Sequence, residues 1–231
     1  LGRTFDSSDV AAGERPIVLS WRMFQELGAS ADVIGRVLRF EYDALGRRVR
    51  KSVLRPSDDG AEVSERDTRY VWDGDRLVHE LDTERGLSTW YWDVESPAPV
   101  AKECGGRRFS VVSDHLGVPT EMFSEDGELV WQMQLDVLGV PRLTRGSADD
   151  CPWRFPGQYE DPESGLSYNR FRYYDPGLGV FVSRDPAGLA AGLRAFAYVP
   201  DPLVWIDLFG LTGTYIFQFA SGEMYIGRGP I

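Results

Sequence analysis

The chain has 231 residues, of which 42% are hydrophobic and 13% aromatic, and these proportions exclude a disordered polymer. Its formal net charge of −11 excludes a general nucleic-acid-binding surface, because a phosphate backbone selects clustered lysine and arginine. No apolar run reaches the ~18 residues of a membrane-spanning helix. The two cysteines, Cys104 and Cys151, lack the spacing of a metal site, so free thiols are predicted.

The first 35 residues carry no decisive pattern, and residues 19–28 fit a short helix and a strand equally well. From Leu38 to Tyr42, apolar and charged residues alternate with the two-residue period of a strand. The strand runs into a turn at residues 43–46 (DALG), and a second alternating run follows at 47–54. This segment is therefore predicted to be a β-hairpin.

The same unit recurs along the chain. An aromatic residue followed by aspartate occurs at 42/43, 72/73 and 92/93, each time next to an alternating run. Repeats at this spacing indicate stacked supersecondary units. A single hairpin is marginal alone, so each unit is expected to need neighbours on both sides.

Some residues in the β-region allow a catalytic or binding interpretation as well as a structural one. His115 follows Asp114, but adjacent strand residues point to opposite faces, so a turn between strands is favoured. His79 lies in an alternating strand and is likewise interpreted as structural. Residues 168–174 (YNRFRYY) interleave aromatics with arginine, which would suit base stacking; the acidic chain favours packing on a sheet, with cation–π contacts.

Near the end of the chain, two similar segments, 184–189 (RDPAGL) and 207–211 (DLFGL), each place Gly-Leu three residues after an aspartate. Asp185 and the proline after it are typical of a helix start, and residues 189–198 have the best helical pattern in the chain. A short strand at 203–206 then leads to the second aspartate. This order predicts that the two aspartates lie side by side.

Two carboxylates held close together cannot both ionise easily, so one retains a proton while the other acts as a base. Such a pair can activate a water molecule against a peptide carbonyl. Aspartate and glycine are also ordinary turn residues. On sequence chemistry alone, two turns capped by aspartate are therefore the favoured interpretation, and only a family resemblance reverses that preference.

Three stretches give the chain a resemblance to a known family. Residues 40–47 (FEYDALGR) resemble the tyrosine-aspartate (YD) repeat of Rhs proteins. Residues 114–131, which begin DHLGVP, are similar to the DHLGTP segment of the same family, and residues 155–176, which begin FPGQYEDPESGL, resemble its core-associated domain. The ordered series covers about 36 to 211. It implies a mainly β fold, in which YD hairpins wind as part of a hollow β-shell with a short helix near a C-terminal autoprotease motif.

The resemblance also implies a division of the chain and a chemistry. It implies shell strands over 1–153, a core-associated domain with an aspartyl autoproteolysis motif over 154–211, and the start of a C-terminal toxin over 212–231. Family members of this kind cut themselves once with an aspartyl-protease-like dyad. Carried over to this chain, Asp185 and Asp207 form the dyad.

The remaining site residues follow from the same resemblance. It implies that Arg184 is the charge partner of the dyad and that the cut falls between Leu211 and Thr212. The chain departs from the family at Leu208, where proline is usual, and after Gly179, where arginine is usual. Since proline would fix the backbone torsion of the turn, the sequence leaves open whether the change slows, shifts or spares the cut.

After the Gly-Leu of 210–211 the character of the chain changes. The alternating residues of 212–228 predict a hairpin. They also resemble the opening of GIY-YIG endonucleases, with Tyr215 in the first motif and Tyr225 and Gly227 in the second. The residues that would complete such a nuclease are expected beyond this sequence, so this fragment is expected to have neither nuclease activity nor a nucleic-acid partner.

The resemblance finally implies partners and a location. The expected partners are the remainder of the Rhs shell and its own C-terminal toxin, with a secretion spike or chaperone and an immunity protein as further candidates. No cofactor or metal is expected for the shell, and a divalent metal such as Mg²⁺ suits only the complete toxin. The protein is then expected to be made in the bacterial cytoplasm and exported by a type VI system into a target cell. A structural or adhesive teneurin-like YD-repeat protein, which does not cleave itself, is the alternative.

Overall fold

A computed structural model describes the following parts of the chain: 36–57, 61–94, 96–186, 193–211 and, as backbone strands, 214–218 and 224–228. The chain divides into two compact units, Leu1–Thr89 and Trp90–Ile231. The described residues form β-strands and one short 3₁₀ turn, Ala148–Asp150, with no α-helix among them. None of these residues belongs to a helix that is long and apolar enough to cross a membrane.

The first unit consists of antiparallel strands that neighbour one another in chain order. They are β1 (Val37–Tyr42), β2 (Arg48–Pro56), β3 (Glu62–Asp73), β4 (Arg76–Asp82) and the first part of β5 (Gly86–Trp92). The guanidinium of buried Arg48 lies over the rings of Phe40 and Tyr70, at 5.3 and 4.8 Å from their centroids. Aromatic rings on neighbouring strands therefore pack around a cation.

The second unit begins with a further run of antiparallel strands in chain order. They are β6 (Pro99–Cys104), β7 (Arg107–Ser113), β8 (Pro119–Ser124), β9 (Leu129–Leu135) and β10 (Pro141–Arg145). Trp153 meets the rings of Trp90, Trp92 and Tyr159 edge to face, with centroids 5.0 to 5.8 Å apart. This geometry is the preferred one for aromatic pairs.

Two smaller sheets of the second unit carry the last part of the chain. The four-stranded sheet contains β11 (Tyr159–Asp161), β12 (Leu166–Asn169), β13 (Arg172–Asp175) and β14 (Val180–Phe181), in that order. The three-stranded sheet contains β15 (Trp205–Ile206), β16 (Thr214–Gln218) and β17 (Met224–Arg228). The pairing of β16 with β17 confirms the hairpin predicted for the tail.

One type of turn, Asp-x-x-Gly, closes several of the hairpins. At Asp43, Asp114 and Asp136, a carboxylate oxygen accepts hydrogen bonds from the backbone N–H groups two and four residues later, all at 2.9 Å. The glycine three residues after each aspartate has φ between +76° and +92°, a conformation that glycine adopts without steric cost. The turns predicted at 43–46 and 114–117 are therefore confirmed.

Several other sequence predictions hold in the described residues. The three aromatic-Asp pairs mark the ends of β1, β3 and β5. Cys104 and Cys151 are free thiols. His79 contacts Thr89 on the neighbouring strand at 3.0 Å, and His115 lies in its predicted turn, where Nε2 is 3.2 Å from a backbone carbonyl. Residues 1–35, whose structure the sequence left open, lie outside the described part.

The helix predicted at 189–198 is wrong for the part that the structure describes, residues 193–198. Ala197 forms an antiparallel bridge with Val180, and the Phe181 N–H donates to the carbonyl of Phe196 at 2.8 Å. Pairing with β14 satisfies the backbone groups that a helix would have satisfied internally. The remaining residues of that prediction, 187–192, lie outside the described part.

Candidate functional site

A buried arginine on β13 joins the two aspartates that the sequence singled out. The Nη2 atom of Arg172 lies 3.0 Å from Asp185 Oδ2 and 3.1 Å from Asp207 Oδ2. All three side chains are buried, with side-chain exposures of 2 to 5%. Because both carboxylates contact the same nitrogen, their oxygens cannot lie farther apart than the sum of those distances. The structure therefore brings Asp185 and Asp207 together.

The second aspartate sits at the start of an Asp-x-x-Gly turn like those of the hairpins. The Leu211 N–H donates to Asp207 Oδ1 at 3.1 Å, and Gly210 has φ +64°. The hairpin aspartates have the same bond to the residue four positions later, as at Asp136. What distinguishes Asp207 is its burial, at 1% exposure, and its second oxygen, which faces Arg172.

The backbone of the turn, residues 207–211, is held by the four-stranded sheet. Asn169 Nδ2 donates to the carbonyl of Asp207 at 2.8 Å, and the Phe171 N–H donates to the carbonyl of Phe209 at 3.1 Å. Arg172 Nε donates to the carbonyl of Gly210. Three of the five carbonyls before the predicted cut are therefore bonded to fixed donors, which holds this segment in one conformation.

Two glycines allow the close approach of these elements. Gly157 has φ +85°, and a Cβ atom there would collide with the backbone of Leu208. A Cβ at Gly210 would lie 2.6 Å from the carbonyl oxygen of Asn169, closer than real Cβ contacts come. The 207–211 turn is therefore enclosed on one side by the turn at 155–158 and on the other by β12 and β13.

Burial changes the protonation of this site. Desolvation raises the pKa of Asp207 from its usual range to about 6. The hydrogen bond from Leu211 and the charge of Arg172 lower this pKa, but desolvation is the larger effect. Burial also lowers the pKa of the Arg172 guanidinium, and the two carboxylates oppose that change. At neutral pH, Asp207 is therefore protonated in only a minority of molecules. This protonated fraction is nevertheless far larger than that of an exposed aspartate.

Aromatic side chains line the same region. The Arg172 guanidinium lies over the ring of Phe181, 3.6 Å from its centroid. The hydroxyl oxygen of Tyr198 accepts a bond of 3.5 Å from the Asp207 N–H, and Tyr198 packs on Phe155, Tyr174 and Phe181. The sheet-packing interpretation of residues 168–174, with a cation–π contact, is confirmed for Arg172 and Phe181. These rings exclude water from the aspartates and account for the desolvation.

The structure places the other predicted site residues less centrally. Arg184 is exposed, whereas buried Arg172 forms an ion pair with each of the two aspartates. Leu211 is half-buried, and Thr212 lies outside the described part of the chain. In the tail, Tyr215 is paired with Gly227. The GIY-YIG likeness therefore remains a prediction.

Sequence reasoning missed Arg172 and Asn169 as site residues. Both lie in the YNRFRYY segment, where they were interpreted through the aromatic alternation alone. They are paired directly across β12 and β13. The signal that could have found them is polarity: an amide and a guanidinium that lie among aromatic residues in paired strands require partners when those strands are buried.

Comparisons with known proteins agree with the architecture. A family model described as teneurin YD-shell matches residues 29–200. Double-stranded DNA deaminase toxin A of Burkholderia cenocepacia is 37% identical over 207 residues, which cover 80% of this chain and 14% of that protein. Probable deoxyribonuclease RhsA of Dickeya dadantii is 35% identical over 241 residues, which cover 100% of this chain and 16% of that protein.

Further relatives extend the same picture. The toxin protein Tse5 of Pseudomonas aeruginosa is 36% identical over 211 residues, with 75% of this chain and 15% of that protein covered. The chain thus spans between 14% and 16% of the length of these relatives. The crystal structure of TcdB2-TccC3-Cdc42 matches with a TM-score of 0.59 at 17% identity, covering 86% of this chain and 10% of that one. That likeness shows the fold alone.

Proposed function

The chain belongs to the teneurin YD-shell family, and on that basis we propose that it is a C-terminal shell segment of an Rhs toxin that cuts itself after Leu211. The observation that carries this proposal is the buried pair Asp185 and Asp207 on one arginine nitrogen. The backbone before the proposed cut is bonded to one member of that pair. A carboxylate pair, a fixed peptide segment and exclusion of bulk water are what a self-cleaving aspartate site requires.

The proposed reaction is a hydrolysis in which the two carboxyl groups have different roles. Asp207, with its raised pKa, supplies the proton, and Asp185 accepts one. The oxygen of a water molecule bonds to the Leu211 carbonyl carbon, and the water proton passes to Asp185. The bond to the nitrogen of Thr212 breaks as that nitrogen takes the proton of Asp207. The products are a carboxyl group at Leu211 and an amine at Thr212.

Arg172 has two roles in this scheme. Its guanidinium neutralises charge between the carboxylates, which allows both to be buried together. Its Nε also fixes the carbonyl of Gly210, one residue before the bond that breaks. We therefore place Arg172 in the position that the family resemblance gave to Arg184, as the charge partner of the dyad.

Leu208, which stands where the family has proline, is compatible with this proposal. The turn from Asp207 forms with leucine in place, and Gly157 packs against the Leu208 backbone. Within the described part of the chain, the Leu208 N–H makes no hydrogen bond that proline would remove. The main chain of the turn therefore does not depend on proline at this position.

The wider proposal concerns the parent protein. The shell strands would enclose a C-terminal effector, and the cut would free it inside, for delivery to competing or target cells by a secretion system such as type VI. The remainder of the shell, the toxin, an immunity protein and a spike or chaperone are the partners in this scheme. The tail is the start of a GIY-YIG-like nuclease, which would use a divalent metal such as Mg²⁺. The relatives include proteins named as toxins, which supports this scheme.

A second candidate is a structural, teneurin-like YD-repeat segment that does not cut itself. The observation in its favour is that Asp207 makes the same turn as Asp43, Asp114 and Asp136, which cap hairpins. In this scheme Arg172 and the aspartates are a buried ion-pair cluster. The two candidates differ in the covalent state of the chain.

The mass of the purified chain tests the proposal directly. We expect the wild-type chain to separate into two fragments after Leu211, while the Asp185→Asn and Asp207→Asn variants stay intact and folded. The matched control is Asp136→Asn, which alters the same type of turn in the same unit and should be cut like wild type. Cleavage in isotopically heavy water should place one heavy oxygen on the Leu211 carboxyl group. A wild-type chain that stays intact would support the structural candidate.

A further inference from the structure

Three polar side chains lie next to one another at one end of the four-stranded sheet. Asn169 and Arg172 are directly opposite on β12 and β13. Tyr159 is opposite Tyr168 on β11 and β12, so Gln158, which precedes Tyr159, and Asn169, which follows Tyr168, lie at the same end of this strand pair. Directly opposite residues of an antiparallel pair project from the same face of the sheet. Asn169 and Arg172 therefore share one face of the sheet, and Gln158 lies at the same end of it; these three residues are called the polar row.

This row faces the 207–211 turn, which ends at the proposed cut. Asn169 donates to the carbonyl of Asp207, and Arg172 contacts the Asp207 carboxylate. Gly157, the residue before Gln158, packs against the backbone of Leu208. All three members of the row are thus within the part of the sheet that the 207–211 turn covers.

Two members of the row have unused hydrogen-bonding atoms. Gln158 and Asn169 are 1% and 0% exposed. Among the described residues, neither Gln158 Oε1, Gln158 Nε2 nor Asn169 Oδ1 has a hydrogen-bond partner. A buried polar group without a partner costs about 1–3 kcal/mol. Such groups in folded proteins are normally satisfied, and a buried water that bonds two to four of them is the usual means.

We propose that Gln158 and Asn169 hold the water molecule that attacks the Leu211 carbonyl, an inference that rests on the proposed self-cleavage. Asn169 Oδ1 accepts a hydrogen bond from one proton of the water, and Gln158 Nε2 donates one to the water oxygen, which leaves the second water proton for Asp185. The water oxygen forms the new bond to carbon, and its proton passes to Asp185. Gln158 is therefore a positioning residue for the nucleophile, and Asn169 also positions the backbone of Asp207.

Replacement of Gln158 by methionine, which has a similar volume and no amide, tests the inference. A water-holding role predicts that Gln158→Met slows the cut by at least about tenfold. It also predicts an unchanged or raised urea midpoint of unfolding, because the variant no longer buries an amide. The control is Gln134→Met on β9, where the glutamine is exposed and the rate should not change. Equal rates for Gln158→Met and wild type would overturn the inference.

A second measurement does not depend on cleavage. A crystal structure of the intact Asp207→Asn chain should show an ordered water within hydrogen-bond distance of the side chains of both Gln158 and Asn169. A direct bond between the two side chains, with no water, would overturn the inference even if Gln158→Met is slow. An uncut wild-type chain refutes the proposed self-cleavage instead, whatever the crystal shows. The two failures are therefore distinguishable.

Discussion

The pH dependence of self-cleavage should follow the protonation of Asp207. Burial raises the pKa of this carboxyl group to about 6, and in the proposed reaction it must hold a proton to release the Thr212 nitrogen. At pH 7 only about one molecule in ten carries that proton. Above about pH 6, the rate of the cut should therefore fall by about tenfold for each pH unit.

The rate can be measured on the whole chain after unfolding in urea. Dilution into buffers from about pH 5.5 to about pH 8 starts folding, and mass spectrometry follows the appearance of the fragment that ends at Leu211. The Asp136→Asn variant should give the same profile as wild type, because that aspartate bonds the backbone of its own turn and none of Asp185, Asp207 and Arg172. Asp207→Asn should not be cut at any pH.

The direction of the profile decides between roles for Asp207. If this residue were the base, it would have to be ionised, and the rate would rise with pH through about 6. A rate that rises, or one that is constant over this range, would refute the assignment of Asp207 as the acid. If the fraction of folded protein fell with pH as steeply as the cleavage rate, folding rather than protonation of Asp207 would limit the reaction.

The same pKa predicts an effect on stability. Because the folded state holds the Asp207 proton more tightly than the unfolded chain, where the pKa is near 3.8, the contribution is full below about pH 4 and is lost as pH rises through about 6. Its size is on the order of 3 kcal/mol. The Asp185→Asn variant stays uncut, and its free energy of unfolding in urea should fall by an amount of this order between those pH values. Adding Asp207→Asn should abolish that fall. Unchanged pH dependence would contradict the raised pKa.

Three further predictions concern the backbone and the charge partner. Leu208→Pro should be cut at the same bond, within about tenfold of the wild-type rate, because the Leu208 N–H is unused and proline loses no bond; an intact chain would show that the turn excludes proline. Gly157→Ala should abolish the cut by displacing the Leu208 backbone, whereas Gly127→Ala, with a similar positive φ and open space, should be cut normally. Arg172→Gln should stop the cut and destabilise the chain by about 3–5 kcal/mol in urea, since it strands buried charge, and Arg184→Gln should do neither. If Arg184→Gln stopped the cut and Arg172→Gln did not, Arg184 would be the charge partner of the dyad.

Local chemistry made the hairpins readable from the sequence. The alternation that begins at Leu38 and the turn at Asp43 depend on residues within a few positions of each other. The repeated aromatic-Asp pairs then indicate a stack of such units. The sequence-based prediction was wrong at residues 193–198. Their pattern is helical, but Ala197 pairs with Val180 on a strand that is distant in sequence.

By itself, the sequence determined the β-architecture, the repeated Asp-x-x-Gly turns and the two aspartates, because turn chemistry and strand period act over a few residues. Only the tertiary structure decided that Arg172, rather than the neighbouring Arg184, joins Asp185 to Asp207. Side chains that are adjacent in sequence project apart on an extended backbone, whereas cross-strand pairing and a docked loop bring together groups that are tens of residues apart. Burial, which raises the pKa of Asp207, is likewise a property of the packed unit and of no single segment.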